Sequence, residues 1–131
     1  MDTERLISAA KQARDRAYAP YSGFSVGAAL LTEGGEIFTG CNVENASYGA
    51  CLCAERAAVS AAVSAGYRAF SAIAVISNGD APCLPCGICR QVLVEFSPDC
   101  VVVAASADGT YERYVAKELL PKSFTLPQED R

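Results

Sequence analysis

The sequence predicts an α/β fold, a three-layer α-β-α sandwich around a mixed five-stranded sheet. Two strand-sized apolar runs, residues 70–77 and 100–105, are continuous rather than alternating, as strands covered on both faces are. A helical pattern precedes each of them, as in strand–helix–strand units. Ahead of these lie two further strand-like runs joined at Gly34-Gly35, the signature of a hairpin and hence of antiparallel pairing. One hairpin followed by crossover units gives a mixed sheet with helices on both sides.

The elements follow in order. Over residues 2–18, Leu6, Ile7, Ala10, Ala13 and Ala17 recur at three- and four-residue spacing until Pro20 stops the pattern, which predicts an amphipathic helix. Residues 24–32 place Phe24, Val26, Ala28 and Leu30 at alternate positions of a strand, which returns through a two-residue Gly34-Gly35 loop over 37–41. Residues 42–52 form a polar loop. An Ala-rich helix is expected over 53–65, with Gly66 as its C′ residue. The strand 70–77 and the loop 78–85 lead to a helix over 86–96 and the strand 100–105. Asp108-Gly109 then turns into an edge strand over 110–115, followed by a short helix over 116–120 and a polar tail. Neither a repeat nor a linker interrupts the order, so residues 1–131 read as one domain.

The chain has 131 residues, 51% of them hydrophobic and 20% charged, with a net charge of −4. That much apolar surface excludes a disordered chain, and the acidic balance argues against a nucleic-acid partner. An apolar excess on so short a chain suggests burial between subunits. The absence of histidine excludes HExxH metalloproteases and every histidine-based nucleophile triad. No apolar run approaches membrane-spanning length, and the opening Met1-Asp2-Thr3-Glu4-Arg5 has neither the basic nor the apolar region of a secretory signal. The expectation is a cytoplasmic protein away from membranes. There, seven cysteines, an odd number, point to metal or redox chemistry rather than to a disulfide scaffold.

Cys53-Ala54-Glu55 opens one helix, and Pro85-Cys86-Gly87-Ile88-Cys89 opens the next. Cys86 and Cys89 are three apart and share a side at a helix start. Both clusters are expected to follow strands of one parallel pair, at whose carboxyl ends ligands collect. Helix N-termini favour thiolate, the species that binds zinc, and three thiolates leave a fourth tetrahedral position for water. Positions i and i+2 share a site only at a helix tip. A carboxylate at position 55 would then stand beside that water as a proton acceptor.

These residues match the zinc-dependent nucleoside deaminase signature. With them, Tyr18-Ala19-Pro20-Tyr21-Ser22, Phe24-Ser25-Val26-Gly27-Ala28-Ala29-Leu30, Gly40-Cys41-Asn42-Val43-Glu44-Asn45, Cys86-Gly87-Ile88-Cys89-Arg90-Gln91 and Leu119-Leu120-Pro121 resemble the small, homotetrameric cytidine deaminases over about residues 11–124. Cys53, where other branches carry histidine, resembles the branch with an all-cysteine site. The resemblance implies one Zn2+ per subunit on Cys53, Cys86 and Cys89. It implies hydrolysis of cytidine, and of deoxycytidine, to uridine or deoxyuridine plus ammonia in pyrimidine salvage. Zinc-bound hydroxide would attack C4 and Glu55 would shuttle the protons. It further implies that Asn42 and Glu44 hold ribose hydroxyls, that Phe24 packs on the base, and that the Ala54 backbone reads the base amide edge. Tyr48 and Phe124 would reach a neighbouring subunit's pocket in a homotetramer with shared active sites. Three thiolates on one zinc leave excess negative charge, and Arg56 and Arg90 are expected to withdraw it by hydrogen bonding to ligand sulfurs.

Other readings compete. Cys51, Cys53, Cys86 and Cys89 would suit a closed, four-cysteine structural zinc site in a binding module without catalysis. Cys83, Cys86 and Cys89 resemble the start of an iron–sulfur motif, and Cys86-Gly87-Ile88-Cys89 resembles a thioredoxin-type pair. A deaminase of a cytosine nucleoside antibiotic would share the zinc motif, but Asn42-Val43-Glu44-Asn45 argues for a plain ribose. Cys41 and Cys100 fall on strands and are expected to be small core residues.

Overall fold

A computed structural model describes residues 1–128. Helix α1 (Thr3–Arg14) starts at Asp2, whose Oδ1 accepts the Arg5 N–H at 3.0 Å, and stops one turn short of the sequence pattern. Strands β1 (Val26–Thr32) and β2 (Ile37–Cys41) form the hairpin. Helix α2 (Ala54–Ser64) is closed by Gly66 at φ +97°, the left-handed C′ position expected of it. Strand β3 (Phe70–Ser77), helix α3 (Gly87–Phe96), strand β4 (Val101–Ala105) and strand β5 (Tyr111–Val115) complete the order, with a 3-10 turn at Ala116–Leu119.

The hairpin turn is longer than the expected two residues. Gly35 N–H donates to the Thr32 carbonyl at 3.1 Å, and Thr32 N–H to the Glu36 carbonyl at 2.9 Å. The loop is therefore Glu33-Gly34-Gly35, with Gly35 at φ +96°, a turn followed by a glycine bulge.

The five strands run β2-β1-β3-β4-β5, with β3 and β4 parallel and the other pairs antiparallel. This corrects one expectation about the site. The cysteine clusters do follow two strands of the same direction, β2 and β3, but β1 lies between them and they are not a pair.

Alternate residues of each strand serve opposite faces. Leu6, Ile7 and Ala10 of α1 pack on Ala29, Ala72, Ala74, Ile76, Val103 and Ala105. On the other face, Ala54, Ala58, Val59 and Ala62 of α2 join Leu93 and Val94 of α3 over Val26, Ala28, Leu30, Ile73, Val75 and Val102. Two glycines set the spacing of the layers. A Cβ at Gly27 would lie 2.0 Å from the Ala10 carbonyl oxygen, and one at Gly40 would lie 2.5 Å from Ala58 N and 2.6 Å from Ala54 O. The backbone of α2 thus rests directly on β2, and that contact fixes where the N-terminus of α2 stands. Cys100 is a core residue, as expected, whereas Cys41 is half-buried with its thiol 3.6 Å from the Arg16 carbonyl.

Candidate metal centre and active-site cleft

Cys53 and Cys86 are the N-cap residues of α2 and α3, and neither uses its side chain to cap its own helix. Both sulfurs are therefore free to turn toward each other. Cys53 Sγ and Cys86 Sγ are 3.7 Å apart, and Cys86 Sγ and Cys89 Sγ are 3.6 Å apart. All three sulfurs lie within 4.8 Å of one another, the one such cluster of metal-binding side chains among the described residues. Tetrahedral bonds of about 2.3 Å from zinc to sulfur place neighbouring sulfurs about 3.8 Å apart, so the donor set and its spacing fit that metal.

Cys51 is not part of the cluster. Its sulfur accepts the Asn45 N–H at 3.3 Å and lies 3.6 Å from the Asn45 carbonyl, which leaves the closed four-cysteine reading without its fourth ligand. Cys83 also stays outside, so the iron–sulfur reading lacks a start. Burial pushes the Cys83 thiol up to about 11.

Glu55 occupies the first turn of α2 and is only 5% exposed. Burial pushes its carboxyl up to about 7, with the Cys53 charge adding to the rise. Cys53 moves the other way, to about 5, chiefly through the neighbouring Cys89 thiol and then through Arg56. Arg56 Nη2 donates to Cys53 Sγ at 3.4 Å and to the Cys51 carbonyl at 3.5 Å, while its Nε is buried without a partner. A guanidinium is thus placed against a ligand sulfur. Arg90 is not: its Nε donates to the Pro85 carbonyl at 2.7 Å and its Nη1 to the Leu119 carbonyl at 3.0 Å. The bonds expected from Arg90 to sulfur are replaced by a brace on the loop just before Cys86.

Cys53, Cys86 and Glu55 line a cleft of about 260 Å³ together with Phe24, Asn42, Glu44 and the first residue of α2, Ala54, while Cys89 is buried behind it. Asn42 Oδ1 accepts the Val26 N–H at 2.8 Å and its Nδ2 donates to the Phe24 carbonyl at 2.8 Å. Val26, Leu52, Cys83 and Leu84 complete the apolar wall. The sequence reading did not single out Leu52 and Leu84, although each directly adjoins a cysteine of the clusters. Tyr48 and Phe124 stand apart from the cleft, 78% and 69% exposed. Tyr48 borders a neighbouring hollow with Tyr21, Ser22 and Glu44, and the Phe124 carbonyl accepts from Gln91 Nε2 at 2.9 Å.

The mixed sheet between helix layers and the three sulfurs gathered with a buried carboxyl at two helix tips define the class: an α/β protein with a three-cysteine cluster suited to a metal beside a cleft. Residues 1–105 match the family described as the cytidine and deoxycytidylate deaminase zinc-binding region. A cytidine deaminase of Sporosarcina psychrophila is 48% identical over 126 residues, covering 95% of this chain and 93% of its own. Another from Mycobacterium tuberculosis is 42% identical over 134 residues, covering 100% and 98%. Among solved structures, the crystal structure of cytidine deaminase from Burkholderia pseudomallei superposes with a TM-score of 0.92 at 53% identity, covering 95% of this chain and 100% of that one. The chain belongs to the cytidine and deoxycytidylate deaminase family.

Proposed function

We propose that this chain is a zinc-dependent cytidine deaminase, converting cytidine or deoxycytidine and water to the uracil nucleoside and ammonia. The observation that carries the reading is the buried Glu55 carboxyl with three sulfurs within 4.8 Å of one another, of which Cys53 and Cys86 line an open cleft with Glu55. Cys53, Cys86 and Cys89 hold one Zn2+ per subunit. A zinc ion held there would lower the pKa of a water and so supply a nucleophile near neutrality. Glu55, whose carboxyl burial pushes up from its ordinary range, stands where a proton acceptor and donor is needed. It accepts a proton from the attacking water and passes it to N3 of the ring as C4 becomes tetrahedral, then takes the second proton from the new C4 hydroxyl and passes it to the 4-amino group, which leaves as ammonia as the C4 carbonyl forms.

Phe24 packs against the base, the Ala54 backbone reads its amide edge, and Asn42 and Glu44 hold the sugar hydroxyls. Arg56 disperses thiolate charge through its bond to Cys53. Tyr48 and Phe124, both exposed, serve a neighbouring subunit's cleft in a homotetramer. Residues 1–131 act as a single catalytic domain in cytoplasmic pyrimidine salvage. None of the described helices is long and apolar enough to cross a membrane.

Ammonia release from cytidine, measured before and after a chelator strips the metal, tests the reading. Turnover is expected to vanish on stripping and to return with Zn2+. A protein that holds one zinc per chain and releases no ammonia overturns it.

A further inference from the structure

Glu44 is half-buried, and its carboxylate is held by three donors. Oε1 accepts the Tyr21 N–H at 3.0 Å and the Ser22 N–H at 3.2 Å, while Oε2 accepts the Ser22 hydroxyl. The same Ser22 oxygen accepts the Phe24 N–H at 3.0 Å. Ser22 is thus the side chain that joins the Glu44 carboxylate to the Phe24 backbone. Each carboxylate oxygen has about two acceptor directions. Those of Oε1 are both taken, and Oε2 keeps one for a ligand hydroxyl. The Ser22 hydroxyl is also the main cause holding the Glu44 carboxyl below its ordinary range, which keeps it an acceptor.

We propose that Ser22 is a positioning residue for nucleoside binding: its hydroxyl holds Glu44 Oε2 and the Phe24 backbone in one arrangement, so that sugar and base contacts are set before the substrate arrives. The inference rests on the reading of Glu44 and Phe24 given above. A long carboxylate side chain fixed in advance loses no further freedom when the ligand binds, so the benefit falls on affinity rather than on chemistry.

The test is steady-state kinetics of the zinc-loaded enzyme with cytidine and with 2′,3′-dideoxycytidine, for wild type, Ser22→Ala, Ser22→Thr and Glu44→Ala. Ser22→Ala is expected to raise KM for cytidine about tenfold, the size of one lost hydrogen bond to a charged group. Its kcat should stay within about twofold, and the KM rise on the dideoxynucleoside should be about threefold at most. Ser22→Thr, which keeps the hydroxyl, should restore most of the affinity. An unchanged KM for cytidine, or an equal rise on both nucleosides, overturns the proposal. If wild type and Glu44→Ala both treat the two nucleosides alike, it is the sugar role of Glu44 that fails. Should Ser22→Ala not fold, Ser22→Cys exchanges a strong donor for a weak one and carries the same expectations.

Discussion

The cleft has two halves built by different means. The half carrying Cys53, Glu55, Cys86 and Cys89 stands on the tips of two helices, one pressed so closely on β2 that a Cβ at Gly40 would meet its backbone at 2.5 Å. The half carrying Phe24, Asn42 and Glu44 has no such support. It is half-buried to exposed chain held by side-chain bonds: Asn42 to Phe24 and Val26, and Glu44 to Tyr21 and Ser22. Regular structure and packing position the half proposed to do the chemistry. Local side-chain hydrogen bonds position the half proposed to hold the nucleoside.

The largest effect should come from removing the proton carrier while leaving the packed half intact. Glu55→Gln is expected to lower kcat by about 10³-fold or more with zinc content unchanged, as read by ammonia release and metal analysis on one preparation. Loss of metal in that variant would mean that the carboxyl supports the site rather than the reaction. Next in size is Arg56→Ala, which removes the guanidinium from Cys53 Sγ. Zinc retention against a competing chelator should weaken about 10–100-fold, because the sulfur loses its outer partner. The smallest change is expected from Cys51→Ala. Although Cys51 lies two residues from a ligand, its sulfur belongs to the loop half through Asn45. Metal analysis should find the zinc retained, and its loss would return the four-cysteine site to consideration.

Much of this division was legible in the sequence, for identifiable reasons. Continuous apolar runs marked β3 and β4 because buried strands carry apolar side chains on both faces. The two cysteine clusters marked the place where three sulfurs gather, because cysteines at helix starts with metal-ligand spacing converge on one side. The sequence did not reveal that β1 separates β2 from β3, since strand order depends on non-local pairing. Nor did it distinguish Arg56, turned to a sulfur, from Arg90, turned to two carbonyls. Both follow a ligand cysteine, and the direction of a long side chain depends on what the fold places within its reach. Likewise, Gly40 and Gly27 read as strand residues, and only the close approach of a helix shows why neither carries a Cβ.

The 33-residue separation between Cys53 and Cys86 has a meaning for the unfolded chain as well. A metal held by both sulfurs cross-links a segment containing α2 and β3. By loop-closure entropy, a cross-link of that span disfavours the open ensemble by about 4 kcal/mol. A metal bound there would therefore also be a clasp: its binding would count toward folding free energy, and the apo chain would have to fold without it.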